Sequence, residues 1–257
     1  MTRPSGKTVK VRASIQEGSG SGFSKYRELY HGRIGLMRLV IAELLTSLLG
    51  GLPGPAGLFL RSRTYPRLFR SAGRPVFIGR NVTFRHLSKI TLGSNVIIDD
   101  NCMIDAKGAD NRGITLGDDV YIGRNTIVYC KNGDIDIEAG VNISSNCTVF
   151  SSNHLTLGRG TVIGAYSYLL SGGEYDHRDP TPFAEQSGMQ TRGPLSVGAN
   201  CWLGTRVTVL DAANIGEHCV IGAGAVVNKP IPAHHLAAGV PAKVLKAIDP
   251  SEMEDPV

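Results

Sequence analysis

From residue 92 onward, aliphatic residues return every six positions. Leu92-Gly93-Ser94-Asn95-Val96-Ile97 is followed by Ile98-Asp99-Asp100-Asn101-Cys102-Met103, and the frame runs on through Leu116, Ile137, Leu157, Val197 and Ile215 to Val227, with a weaker copy at Ile78. The residue after each aliphatic starter is usually small or acidic, and the one four positions on is small or β-branched. A period of six matches neither the 3.6-residue helix nor the two-residue alternation of a long strand. It suits a coil with three short flat sides, in which the starter points inward and the corners are turns. Parallel strands of stacked coils share hydrogen bonds at a spacing of ~4.8 Å, so no coil is stable alone and the chain forms a solenoid. The fold class is therefore all-β, a parallel β-helix of triangular section.

Three hexapeptides make one coil of 18 residues, and the starters Leu92, Leu116, Ile137, Leu157, Val197 and Ile215 are spaced by 24, 21, 20, 40 and 18. Small excesses are corner loops. The spacing of 40 leaves 22 extra residues, which fall in the polar stretch SGGEYDHRDPTPFAEQSGMQTRGP over 171–194. In a solenoid such an insertion is where binding chemistry tends to sit. Cys102, Cys147, Cys201 and Cys219 each lie four after a starter and read as small core residues, whereas Cys130 falls outside the frame and reads as a surface or corner thiol.

Charge divides the chain in two. The first 90 residues carry 16 Lys+Arg against 3 Asp+Glu, a net +13, and the remaining residues carry 11 against 19, a net −8. The basic part suits nucleic acid, an anionic lipid or an acidic substrate, and the acidic remainder argues against a protein that wraps nucleic acid. Scattered cysteines without a C-x-x-C motif and a start without an apolar h-region favour a reducing, cytoplasmic setting without disulfides or structural zinc. Residues 1–24 read as a disordered basic arm and 25–76 as a helical segment that caps the solenoid. The solenoid spans 77–232, and 233–257 form a C-terminal tail with a short helix near 242–248. Between Ile34 and Leu60 the chain is strongly apolar, but Arg38, Glu43, Gly50-Gly51 and Pro53-Gly54-Pro55 interrupt it, which argues against a spanning helix of ~20 residues. Leu36, Val40, Glu43, Leu44, Ser47 and Leu48 trace one helical face there, apolar with one acid. With the series Arg61, Arg63, Arg67, Arg70 and Arg74 beyond it, this part is the expected site of peripheral contact with the inner face of a membrane.

The hexads, the stretch VGANCWLGTRVTVLDAANIGEHCVIGAGAVVNKPIP from Val197 to Pro232, and AAGVPAKVLK from Ala237 to Lys246 resemble the hexapeptide-repeat acyltransferases with left-handed β-helices. The similarity is greatest to the sugar and polysaccharide O-acetyltransferases, and it covers about residues 25–248. The resemblance implies a left-handed coil and a homotrimer with active sites between subunits. It also implies acetyl-CoA or another acyl-CoA as co-substrate, no metal, and a saccharide or lipid-linked saccharide acceptor in surface polysaccharide assembly. A loop histidine would act as general base on the acceptor hydroxyl, which attacks the thioester without an acyl-enzyme. An imidazole suits the task because its pKa of about 6.5 lets it accept a proton at neutral pH.

Among seven histidines, His177 in the long loop is the first candidate for the base and His154, at a corner, the second. The family histidine usually comes sooner after the loop begins, so His177 is displaced by about three residues and Glu174 enters as a further candidate. By the same resemblance the backbone N–H of Thr205 faces the acyl carbonyl, and Asn146, Glu174, Asp176 and Trp202 contact the acceptor. Gly204, Thr205, Ala223, Lys229, Lys243 and Lys246 would meet the coenzyme. Asn146 reads equally as one rung of a corner asparagine ladder. Two other functions stay open. A zinc carbonic anhydrase on this solenoid needs three histidines in register, which the chain does not offer. A noncatalytic binding scaffold would follow if the displaced histidine no longer supports catalysis, and amine, serine or antibiotic acceptors also occur on the fold.

Overall fold

The computed structural model describes residues 21–32, 34–186 and 190–249. The disordered arm expected over 1–24 lies outside these residues up to residue 20, and its last residues start a helix. Three helices precede the coils: α1, Gly22–Tyr30; α2, Leu36–Leu49; and α3, Gly54–Thr64, which runs into a 3-10 turn over Tyr65–Leu68. Ser21 caps α1 by accepting the Ser24 N–H, and Pro55 opens α3, where its missing N–H costs nothing.

The chain then winds through about eight turns of the expected left-handed β-helix. A first face stacks Ser71–Ala72, Ile90–Leu92, Ile114–Leu116, Asp134–Ile137, His154–Leu157 and Leu195–Val197. A second face begins at Val76–Ile78 and ends in Trp202–Leu203, Val220–Ile221 and His235–Ala238; a third begins at Thr83–Arg85 and ends in Tyr168–Ser171, Thr208–Val209 and Val226–Val227. Every rung is parallel, and the hexad starters meet one above another: Leu92 pairs with Leu116, Leu116 with Ile137, Ile137 with Leu157, Leu157 with Val197, and Val197 bridges Ile215. The ladder starts at Ser71, in the segment read as helical, and continues through His235–Ala238, in the segment read as tail. Lys243–Ala247 is a strand antiparallel to His235–Ala238, not the helix expected near 242–248. The open edge of the last second-face strand offers backbone partners that an isolated short helix would lack.

Starters such as Ile98, Ile143, Leu157, Leu203 and Val209 are wholly buried, and the small residues four positions later fill the space beside them. The small residue after a starter has a different cause. A Cβ on Gly204 would lie 2.7 Å from the Ala223 nitrogen of the next coil, and one on Gly117 would lie 2.7 Å from that of Ala139. Corners turn through left-handed backbone, at φ near +60° in Asn95, Asn101, Asn125, Asn146 and Asn200, a conformation asparagine tolerates better than most residues. All five cysteines are buried. Cys130 corrects the expectation of a surface thiol: Ile127–Cys130 is one residue longer than the frame allows, so strand alternation turns Cys130 inward beside Val128.

The helices close the first coil. Leu39 and Ala42 of α2 are buried, with Leu45 and Leu49 packed against the same core. Arg61, expected in an exposed arginine series, is instead buried: its Nε donates to Ile78 O at 2.9 Å and its Nη1 to Leu49 O at 2.9 Å and Leu52 O at 2.8 Å. It ties both helices to the second face.

Candidate active site

All the excess length between coils falls at one corner, where the third face returns to the first: residues 106–113, 131–133, 152–153 and the long loop lie there, while the other two corners are tight turns. The long loop's described residues are held by its own polar groups. Glu174 and Gln190 exchange backbone hydrogen bonds at 3.1 and 2.7 Å, and the Glu174 carboxylate pairs with Arg192 at 3.0 Å. Gln186, almost fully buried, accepts the Asp176 N–H at 3.1 Å and donates to Asp176 O at 2.9 Å and Thr181 O at 3.1 Å.

Asp211, one coil further on, holds both ends of the loop. Its carboxylate, 1% exposed, accepts the Gly172 N–H at 2.6 Å, the Thr191 hydroxyl at 3.2 Å and the Arg192 N–H, while the Arg192 guanidinium donates to Asp211 O at 2.8 Å. Asp211, Gln186 and Arg192 were not singled out from sequence. Asp211 occupies a position two after a starter, where nothing in a linear reading separates a buried acceptor from a solvated turn residue.

His177 projects from this loop, exposed. The neighbouring acids close turns of their own: Asp176 Oδ1 accepts the Arg178 N–H at 2.9 Å and Asp179 Oδ1 the Thr181 N–H at 2.9 Å. The Arg178 N–H, then Gln190 and the nearby His177, hold the Asp176 carboxyl below its usual range. His154 begins a first-face strand at the same corner, its Nε2 3.1 Å from Thr156 Oγ1 and 3.4 Å from Asp136 Oδ2. The Ser171 hydroxyl donates to His154 O at 2.9 Å, so the loop base and His154 are adjoining parts of one surface.

A second group of candidates gathers at the corner between the second and third faces. Asn146 accepts from Asn125 at 3.2 Å, forming a rung of the anticipated asparagine ladder. Two coils on, Gly204 and Thr205 follow on the same edge, with Ala223 one coil further. Gly204 N–H donates to Ile221 O and Arg206 N–H to Ala165 O, each at 2.8 Å, whereas Thr205 N–H between them has no acceptor among the described residues. The Thr205 hydroxyl donates to Ala165 O at 2.7 Å. Trp202 stands exposed on the second face beside this edge, and exposed Lys243 and Lys246 sit on the antiparallel strand that ends that face. Lys229 is exposed beyond Val226–Val227, at the histidine corner.

The structure thus collects the histidines at one edge of the third face and the Thr205 row at the other. Attack by one hydroxyl needs a base within ~3 Å and an oxyanion donor within ~3 Å of the same reacting group. Within one chain the third face lies between them. Among the described residues no group of three or more His, Cys, Asp or Glu side chains is placed to hold a metal ion. A cleft of about 670 Å³ lies elsewhere, between α3 and the first second-face strands, lined by Leu58, Phe77 and Ile97.

Residues 195–229 match the family model described as bacterial transferase hexapeptide, six repeats. A Staphylococcus aureus protein provisionally assigned as an acetyltransferase is 36% identical over 118 residues, covering 38% of this chain and 59% of that protein. The probable acetyltransferase of Mycobacterium tuberculosis is 30% identical over 176 residues, 66% of this chain and 49% of its own length. The chain therefore spans about half to three-fifths of the length of these relatives. Among solved structures, a variant of AntD, an N-acyltransferase from Bacillus cereus in complex with dTDP-4-amino-4,6-dideoxyglucose and coenzyme A, aligns with a TM-score of 0.50 at 19% identity, covering 72% of this chain and 87% of that one. That likeness is one of fold. With its registered hexads, the chain carries the bacterial transferase hexapeptide repeat over residues 195–229 and is similar to these acetyltransferases in sequence and to the N-acyltransferase in fold.

Proposed function

We propose that the protein is an acyl-CoA-dependent acyltransferase, with acetyl-CoA as donor and a saccharide hydroxyl as acceptor, in surface polysaccharide or glycolipid assembly. Its acetyltransferase relatives support the reaction class, and the observation that carries the reading is the Asp211-tied loop bearing His177 on a solenoid whose Thr205 N–H has no acceptor among the described residues. The His177 imidazole takes the hydroxyl proton as the oxygen attacks the acyl carbonyl carbon. The Thr205 N–H donates to the oxygen on which charge develops, and the carbon–sulfur bond breaks to release the thiol with the proton returned to it. Because the two groups stand at opposite edges of one face, the complete site joins the loop of one subunit to the Thr205 edge of its neighbour. This is the reason for proposing a homotrimer. Trp202 and Asn146 would face the acceptor, with Lys243 and Lys246 beside the coenzyme phosphates. Lys229, at the histidine corner, would reach the coenzyme only across the subunit boundary.

Thiol release from acetyl-CoA, measured with a panel of sugars and followed by mass spectrometry of the product, tests the reaction. His177→Ala is expected to lower turnover by roughly 10²- to 10⁴-fold while acetyl-CoA affinity stays nearly unchanged. A collapse in His154→Ala with wild-type turnover in His177→Ala moves the base to His154, whose ring already contacts Asp136. Coenzyme binding without thiol release under any acceptor supports the scaffold reading instead.

A further inference from the structure

A capping helix needs one apolar side, and α2 has two. Leu39, Ala42, Leu45 and Leu49 face the solenoid and account for the cap. On the other side Leu36, Met37, Val40, Ile41, Leu44 and Leu48 recur at helical spacing, all exposed, with Met37 at 75% and Leu48 at 68%. This is the face that the sequence pattern picked out, and it is turned away from the core. An apolar stripe of this kind on a surface helix, interrupted here only by the exposed Ser47, marks an interaction site.

The surroundings of the stripe select its partner. Phe59 on α3 is 61% exposed with the Arg63 guanidinium 5.7 Å from its ring centre, and Arg67, Arg70 and Arg74 continue from there along the surface. No ion pair among the described residues involves any of these four arginines. An apolar stripe flanked by an aromatic ring and arginines is the composition of a helix that lies in the headgroup region of an anionic bilayer. A second copy docked stripe to stripe would bring two segments of net +13 together. The division of charge also sets an orientation: the net −8 of the later residues is repelled by the surface that attracts the first 90. No helix among the described residues is long and apolar enough to cross a membrane, so the contact is peripheral.

We propose that the outer face of α2, with Phe59 and the Arg63–Arg74 series, docks the helical end of the solenoid onto an anionic lipid surface. The inference is independent of the acyl transfer proposed above. Flotation of the purified full chain with vesicles tests it. At physiological salt the protein is expected to partition at least about tenfold more strongly onto vesicles with roughly 30 mol% phosphatidylglycerol than onto neutral phosphatidylcholine. Ile41→Ser combined with Leu44→Ser should lower binding by about tenfold or more, since each lost aliphatic group removes buried methylenes from the headgroup region. Arg63→Gln with Arg67→Gln should lower it by roughly 30-fold, at about one kcal/mol per cation near the surface. The melting temperature should stay unchanged in both. Absent flotation, or equal flotation on neutral and anionic vesicles, overturns the proposal. So does a change in subunit number caused by the serine variant, which would make the stripe a subunit contact.

Discussion

Removing the Asp211 carboxylate tests whether one buried group organises the long loop. In Asp211→Ala the N–H groups of Gly172 and Arg192 and the Thr191 hydroxyl lose their common acceptor. Hydrogen bonds to a charged partner contribute about 1.5–3 kcal/mol each, and leaving a buried donor unpaired costs about 1–3 kcal/mol. The loop can recover part of this by opening to water, so the loss appears as easier local opening and not as global unfolding. A net fall of about 3 kcal/mol in the opening free energy corresponds to roughly 100-fold faster amide exchange at 1.4 kcal/mol per tenfold. Exchange measured by mass spectrometry on peptides covering 171–194 should show it, with the coils at 114–157 unaffected. Asp211→Asn keeps the shape and one acceptor oxygen but aims an amide N–H at a donor, so a smaller effect of about tenfold is expected. Limited proteolysis should then cut Asp211→Ala within 171–194 before any coil. Unchanged exchange in that segment, or an equal loss of protection along the whole solenoid, would refute the reasoning.

Other perturbations probe the cap and the core. Arg61→Ala orphans three carbonyls and removes the tie between α2, α3 and the second face, and should lower unfolding free energy by about 2–4 kcal/mol in a denaturant titration. The Glu43 carboxyl is held below its ordinary 4.5 by the 2.6 Å hydrogen bond from Tyr26 and, to a lesser degree, by His31 at 2.6 Å. A depressed carboxylate contributes stability that is present above pH 4.5 and lost as pH falls through its lower folded value. Exchange in α1 should therefore rise in acid, and Glu43→Gln should abolish that dependence. Burial pushes the Cys102 thiol up to about 11 and raises Cys130 well above its ordinary range. Neither should react with a thiol reagent at pH 8 until the protein is unfolded.

The repeat was legible because a hexad solenoid writes its contacts locally: each starter meets the same position one coil away, so counting from Leu92 to Ile215 gives the observed ladder of pairs. The 22-residue excess located the long loop by the same count. Boundaries were less legible. Ser71–Ala72 joins the ladder with no hexad of its own, and Lys243–Ala247 becomes a strand because the last coil leaves an unpaired edge. Periodicity along the chain contains neither fact.

The inward-facing residues, the coil length and the place of the insertion can be read from the chain alone, since these depend on spacing between near neighbours. The remaining features depend on residues far apart in the chain and follow only from how the coils stack. Asp211 reaches back 39 residues to Gly172, and Arg61 reaches forward 17 to Ile78. Stacking determined that His154 and the His177 loop share one corner while Thr205 occupies another. It also turned Leu39 and Ala42 of α2 to the core and left the Leu36 to Leu48 stripe outside. A helix apolar on both sides carries no signal in sequence for which side is buried; the first coil, which can cover only one, makes that choice.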